Sequence, residues 1–352
     1  MTKNQIEINP ECPLPFSANE RVTLGHGSGG QLSHQLLTEL IYPYFDNPIL
    51  ATGHDSALLS IGNQRLAFTT DSFVVSPLFF PGGDIGKLAI YGTVNDLAMS
   101  GAKPLYLSCS LILEEGLPMN TLSTVLASMS HTAEESGIKL VTGDTKVVEK
   151  GKGDGIYINT SGIGVVAHDI CIAPQQIEKG DLIILSGDIG RHGMAVMAMR
   201  EGLTFDNPLN SDCAALSDPI QSLLNEGIVI HCLRDLTRGG LATALVELSE
   251  SAEKTFLVEE TAIPVSDAVT GACEMLGLDP CYVANEGRFI AFIPAAQAEA
   301  ALTLLRNHSV SATSCIIGSV DEGNKSQVVY KTTMGSERLM QRLPGEQLPR
   351  IC

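Results

Sequence analysis

Apolar residues along the chain alternate between two periods. Dense short runs read as strands: Leu66 to Val75, Lys139 to Thr142, Ile156 to Asn159, Leu182 to Leu185 and Phe289 to Ile293. Between them apolar positions recur every three or four residues. That spacing predicts helices over about Asp84 to Ser100, Asn120 to Ser136 and Gln297 to Arg306, one carrying Leu32, Leu36, Leu37, Leu40 and Ile41, and one with Leu241, Ala244, Leu245 and Leu248 on a single side. Strands alternating with helices in both halves predict an α/β chain. In the helix from Asp84, Ile90, Val94 and Leu97 form one stripe, while Ala89, Gly92, Thr93, Asp96 and Ser100 form a small or polar one. The second stripe predicts room for a ligand against Asp96.

A length of 352 residues predicts two domains, because single cores seldom grow so large. Around residues 167 to 180 the composition turns to Pro, Gln, Glu and Lys, and the boundary is placed there. The expected organisation is an arm over 1–20 with Pro10, Pro13 and Pro15, domains over 21–170 and 171–340, and a tail over 341–352. A net charge of −18 argues against nucleic acid or an anionic membrane as partner, since both need patches of Lys and Arg. No apolar run approaches the roughly 18 residues of a membrane span, and residues 1–16 lack the apolar core of a secretion signal. The nine cysteines contain no C-x-x-C pair, so neither a disulfide framework nor a thiolate metal site is expected. A cytoplasmic location follows.

Three features carry chemistry. Glycine loops open helices at Gly25-His26-Gly27-Ser28-Gly29-Gly30, at residues 186–193 and at Thr237-Arg238-Gly239-Gly240, where backbone N–H groups and a positive helix end suit an anion. The first is not a Walker A loop, since no Lys-Ser/Thr follows its glycines. Acids recur at strand ends or on small-residue faces, Asp55, Asp71, Asp96, Asp144 and Asp235, and such hard oxygens suit Mg²⁺ bridged to a triphosphate. Lys146 is delivered beside Asp144 at what reads as a strand end. The chain stops at Pro349-Arg350-Ile351-Cys352, a thiol behind Pro344, Gly345 and Pro349. From Gly345 onward an extended tail would sweep roughly 25 Å, so Cys352 reads as a tethered nucleophile.

Taken together, several segments make the chain similar to the HypE family of hydrogenase maturation factors. They are the first glycine loop, Thr70-Asp71-Ser72 through Pro81-Gly82-Gly83 to Asn95-Asp96, Thr142-Gly143-Asp144-Thr145-Lys146-Val147, Arg234-Asp235 with Thr237-Arg238-Gly239-Gly240, Ala284-Asn285-Glu286-Gly287, and the terminal Pro-Arg-Ile-Cys. That family lies in the ATP-binding superfamily of aminoimidazole ribonucleotide synthetase, selenophosphate synthetase and thiamine-monophosphate kinase. The resemblance covers residues 21–352.

It implies a two-domain α/β (α+β) fold whose N-terminal domain pairs with its copy in a barrel-like homodimer, with ATP in a cleft between domains. It implies that the carbamoyltransferase HypF loads a carbamoyl group onto Cys352. ATP would then drive dehydration of the thiocarboxamide to a thiocyanate, and the cyanide would pass to iron on the HypC–HypD complex for [NiFe] hydrogenase. By motif position, Asp71, Asp96, Asp144 and Asp235 would hold Mg²⁺-ATP, with Asp55 as a further metal ligand and Asn95 beside the nucleotide. Gly27, Ser28, Gly29 and Gly30 would cover the phosphates. Glu286 would abstract a proton, and Lys146 would stabilise charge on the transferred phosphoryl group or assist deprotonation.

The chain departs from the superfamily pattern at His54, where an acid often precedes Asp55, and at Arg191, where HypE sequences commonly carry an acid. Two rival readings are a selenophosphate synthetase-like phosphotransferase and a non-catalytic scaffold presenting the tail thiol. The first would want a Cys beside Lys in a glycine-rich N-terminal loop, and Cys12 has no such neighbours.

Overall fold

The architecture of the first half is set by one helix that is apolar on every side. In the computed structural model, residues 21–45, 47–203, 209–321, 323 and 325–343 are described; the predicted arm, Cys12 and the tail residues Arg350 and Cys352 lie outside them. After the glycine loop comes α1 (Gln31–Gln35), then β1 (Ala57–Ile61), β2 (Gln64–Phe73), a two-residue pair β3 (Phe79–Phe80) and β4 (Gly83–Asp84), and α2 (Ile85–Met99). The half continues through β5 (Lys103–Glu114), α3 (Met119–Glu135), β6 (Lys139–Val148) and β7 (Ile156–Val165). Its long strands form one sheet in the order β1-β2-β7-β5-β6, in which β5 and β6 run parallel across the α3 crossover.

Every residue of α2 except Lys87 and Asp96 is buried, which makes it the core helix of this half. It starts where Asp84 caps it: Asp84 Oδ1 accepts the N–H groups of Gly86 (2.8 Å) and Lys87 (3.1 Å), and Ser128 of α3 donates to Oδ2 (2.6 Å). The small-residue stripe on α2 serves packing more than a ligand. A Cβ on Gly92 would lie 2.7 Å from the Phe73 ring, Thr93 meets Thr160 of β7, and Ser100 meets Ser56, so Gly92 and Asp96 are the stripe residues that reach open space. Period-two alternation on β2 turns Ala67, Thr69 and Phe73 toward α2. The opposite sheet face leaves Phe68, Tyr106, Ile112 and Ile163 exposed.

The second half runs β8 (Asp181–Leu185), α4 (Arg191–Glu201), α5 (Ser217–Asn225), β9 (Cys232–Asp235), α6 (Gly240–Ala252), β10 (Thr255–Glu259), α7 (Asp267–Leu276), β11 (Phe289–Pro294), α8 (Ala298–Leu305), β12 (Cys315–Asp321), β13 (Gln327–Lys331) and β14 (Glu337–Met340). Its sheet has the order β14-β13-β10-β12-β8-β11-β9. Both faces of β11 are covered. Ile290 and Phe292 pack toward α6, while Phe289, Ala291 and Ile293 pack toward α5 and α8. That is why the strand reads as an unbroken apolar run. Met194 to Met197 of α4 and Val269 of α7 share one core with Ile85, Leu88 and Ile90 of α2, so the two halves meet through packed side chains. No described helix is long and apolar enough to cross a membrane.

Removing the Asp84 side chain takes away the acceptor of two N-terminal N–H groups and the Ser128 contact together. Asp84→Ala is expected to lower unfolding stability by about 1–2 kcal/mol, the usual cost of a lost cap. Urea denaturation checks this, and a midpoint equal to the parent protein's would contradict it.

Candidate active site

A cavity of about 400 Å³ opens where β2, α2, the end of β9 and the turn after it converge. The two strands and the helix each deliver an acid to it, and the turn delivers Thr237 and Arg238. The inward phase of β2 that buries Ala67 and Thr69 also turns Asp71 in, and α2 presents Asp96 as its one buried-face carboxylate. Asp235 stands at the last position of β9, 7% exposed. Asp55 precedes β1, and Glu286 lies just before β11. All five line the cavity, together with His54, Thr69, Arg234, Thr237 and Arg238.

Two arginines and a few hydroxyls offset this negative charge in part. Arg234 is clamped by Asp55 (Nη1 to Oδ1, 3.0 Å) and Glu247 (Nη2 to Oε2, 2.7 Å). The Thr69 hydroxyl donates to Asp96 Oδ2 (2.8 Å), and the Ser72 N–H donates to Asp71 Oδ1 (2.7 Å). The rest of the charge is unanswered. Burial pushes the Asp96 carboxyl well up, and Asp235, Asp55 and Asp71 push it further. Asp235 is pushed up to about 8, by burial first and then by Asp55. Burial also raises Asp71 against the pull of Arg238, and burial with Asp235, Asp71 and Asp212 raises Glu286 well above the ordinary range. Asp55 Oδ2 and His54 Nε2 are buried without a hydrogen-bond partner among the described residues.

Such a site wants cations. Among the described residues no three His, Cys, Asp or Glu side chains converge to hold a metal ion alone. Mg²⁺, however, commonly takes one or two carboxylates and completes its octahedron with phosphate oxygens and water. The orphaned Asp55 oxygen and the crowded acids fit a metal that arrives with a polyphosphate.

The glycine loop borders the cavity through Gly27 alone. Gly29 holds a φ of +77°, and a Cβ there would fall 2.8 Å from Cβ of Arg238, so the loop sits directly on the Arg238 turn. Ser28 turns its hydroxyl back to the Gly25 carbonyl (2.9 Å), and the Gly29 N–H is taken by Ser33 Oγ (2.9 Å). Gly30 caps α1. The next residue, Gln31, donates its N–H to the carbonyl of Leu343 (2.9 Å), which plants the start of the tail beside the glycine loop.

Other expected site residues fall elsewhere. Asn95 is 2% exposed and spent on structure: Oδ1 accepts the Leu216 N–H (2.8 Å) and Nδ2 donates to the Ala214 carbonyl (3.0 Å). Asp144 and Lys146 do not stand at a strand end, because β6 continues to Val148. They pair with each other on that exposed strand (2.7 Å), and Lys146 holds the Asp144 carboxyl below its usual range. Asp144 lines a second hollow between β6 and α3, apart from the carboxylate cavity. Arg191 pairs with Asp188 (3.0 Å), which also holds Arg288 (2.6 Å). The residues not assigned from sequence are Arg234, Arg238, Thr69 and Asp212. The two arginines flank Asp235 in Arg234-Asp235-Leu236-Thr237-Arg238, a visible signal; Thr69 and Asp212 had none.

Comparison with known proteins gives consistent neighbours. Residues 53–166 match the model of the AIR synthase related protein N-terminal domain, and residues 178–331 match that of its C-terminal domain. The carbamoyl dehydratase HypE of Cupriavidus necator is 49% identical over 348 residues, covering 99% of both chains. A structure of HypE in complex with ATP superposes with a TM-score of 0.80 at 47% identity, over 93% of this chain and 98% of that one. The HypE–HypF complex matches with a TM-score of 0.83 at 44% identity, over 88% and 99%.

The raised carboxyl of Asp235 predicts a stability trend with a definite sign. A carboxyl that holds its proton more tightly when folded stabilises the protein below its unfolded value, about 4, and loses that contribution as pH rises toward its folded value of about 8. Free of nucleotide and metal, the protein should therefore weaken toward urea between pH 5.5 and 8. Asp235→Asn should flatten the trend and be the more stable form at pH 8. Parallel profiles for the two proteins would contradict this assignment.

Proposed function

The chain belongs to the HypE family of carbamoyl dehydratases, and from that membership we propose that it dehydrates a carbamoyl group carried on its own Cys352. The observation carrying this reading is the carboxylate cavity with the root of the tail beside it. Gly27, on the cavity, is four residues from Gln31, at most about 14 Å of chain, and nine residues, the number that follow Leu343, can span up to about 30 Å. A tail of that length is long enough to carry a group on Cys352 to the cavity edge at Gly27.

In this reading HypF loads Cys352, and a cytoplasmic setting keeps the thiol reduced. Asp71, Asp96 and Asp235, with Asp55, would hold ATP through Mg²⁺, which would supply charge neutralisation for the phosphates. The amide oxygen of the thiocarboxamide attacks the γ-phosphorus and ADP leaves. Oxygen, a poor leaving group in the amide, departs as phosphate while the two N–H protons are lost and the S–C≡N group forms. Glu286, held in a buried and anionic setting, is a strong proton acceptor once ionised. The cyanide then passes to the iron of the HypC–HypD complex.

Asp144 and Lys146 enter through a second copy. The exposed Phe68, Tyr106, Ile112 and Ile163 form an apolar sheet face, and the edge strand β6 exposes Val141 (58%) and Val147 (67%). Faces and edges of this kind are normally covered. Pairing two such sheets closes a barrel-like homodimer and brings Asp144 and Lys146 of each copy toward the cavity of its partner, with Lys146 stabilising the transferred phosphoryl group.

Intact mass tests the reaction. With HypF, carbamoyl phosphate and ATP, the parent protein should gain one carbamoyl and then lose one water; Cys352→Ala should gain nothing, and Glu286→Gln should stop at the carbamoyl form. No ATP turnover in any loading state would favour the scaffold instead. Sharing of the site is tested by mixing: Asp235→Asn and Lys146→Ala should each be inactive alone, and their equimolar mixture should recover up to about a quarter of parental activity, since half of its dimers are mixed and each of those has one intact cavity of two. No recovery, with subunit exchange verified, would place Lys146 outside the partner's cavity.

A further inference from the structure

Residues 209–216 form a strap that hydrogen-bonds to both halves. The Ser211 N–H donates to the Pro81 carbonyl (2.8 Å), and Ser211 Oγ pairs with Nδ1 of the buried His192 (2.9 Å) while accepting the Cys213 N–H (3.1 Å). Between them lies Asp212, 5% exposed. Its Oδ1 accepts the N–H of Glu286 (3.3 Å) and its Oδ2 accepts the N–H of Gly287 (3.1 Å). Asn95 grips the same peptide from the α2 side, with Nδ2 3.4 Å from the Glu286 carbonyl. Gly287 is required here, because a Cβ would collide with the Asp212 backbone carbonyl.

A buried carboxylate whose oxygens each receive one neutral backbone N–H is a costly way to hold a turn, because an uncharged acceptor would meet the same donors with less desolvation. The charge is accounted for if it acts on its neighbour. The charged and titratable groups facing Glu286 are Asp71 from β2, Asp235 from β9, Arg238 from the turn before α6, and Asp212 and Cys213 from the strap. Arg238 works against the basicity of Glu286. Asp71 and Asp235 favour it, but they are the groups assigned to the nucleotide's metal, which would screen them on loading. Asp212 is outside the cavity lining and keeps its influence in the loaded site.

Resting on the assignment of Glu286 as proton acceptor, we propose that Asp212 is a positioning residue for the dehydration: it fixes the Glu286–Gly287 backbone so that Glu286 enters the carboxylate cavity, and it sets a carboxylate behind that side chain, outside the cavity lining. Asp212→Asn preserves shape and one acceptor while removing the charge. It is expected to slow dehydration of the carbamoylated full-length protein by about tenfold or more. The rising limb of the rate–pH profile should also move to lower pH, since a Glu286 freed of the Asp212 charge ionises more easily. Carbamoyl loading by HypF and ATP affinity should remain at parental levels. Asp212→Glu retains the charge, so its limb should stay in place whatever the rate loss, which guards against a folding defect in either variant. A limb that does not move in Asp212→Asn, with or without a slower rate, overturns the proposal. Glu286→Gln separates the two assignments: normal dehydration in that variant refutes Glu286 as the base, whereas an inactive Glu286→Gln beside an unaltered Asp212→Asn refutes only the role of Asp212.

Discussion

Too many carboxylates in one buried place is the constraint that organises this protein. Asp55, Asp71, Asp96, Asp235 and Glu286 share a cavity of about 400 Å³, and the arginines that face it, Arg234 and Arg238, cannot neutralise five charges. Arg234 is further committed to Glu247. In the empty cavity the conflict is relieved by protons, which is what the raised carboxyls of Asp96, Asp235 and Glu286 express. In the proposed complex, a nucleotide bound with its metal would give the same oxygens cations to serve, and the repulsion among them would add to its binding.

That arrangement needs a scaffold that will not spread to relieve the repulsion. The helix α2 supplies one wall, buried on nearly every side and pressed onto β2 and β7 through Gly92 and Gly162, where side chains would collide with Phe73, Thr93 and Leu97. The second wall, at the end of β9, rests on β11, which is packed from both faces. The core that α2 shares with α4 and α7 joins the two. Separating the acids would mean opening packed apolar surface, at about 25 cal/mol per Å². Hydrophobic burial thus holds together what electrostatics would drive apart.

How much of this was legible in the sequence depended on whether a residue's partner was local. The helices from Asp84 and Asn120 and the strands at Leu182 and Phe289 announced themselves by period, and their spans agree with the structure to within a few residues. Asp71, Asp96 and Asp235 stood out as acids in apolar text, and they do meet. Asn95 was read with its neighbour Asp96, but a helix turns successive residues about 100° apart, so adjacency in sequence put the two on different errands. Asp144 and Lys146 were read at a strand end because the strand was ended at Thr142, whereas it continues to Val148 and, exposed on both faces, has no apolar alternation to mark its extent. Asp212 was invisible, since its partners Glu286 and Gly287 are more than seventy residues away.

The tail completes the argument from a different direction. A free substrate must be bound before it can react, which normally calls for an apolar pocket shaped to it. The carboxylate cavity is lined mainly by charged and polar residues and offers little to hold a neutral amide. Tethering removes that need. In the proposed reaction, a group attached nine residues beyond Leu343, itself bonded to Gln31 at the edge of the glycine loop, would need no affinity of its own, since a short tether supplies an effective concentration on the order of millimolar. The cavity is then free to devote its side chains to the nucleotide and to proton transfer. A chain that carries its substrate covalently can afford an active site with no substrate pocket, and the sparseness of apolar lining around Glu286 is what that division of labour would produce.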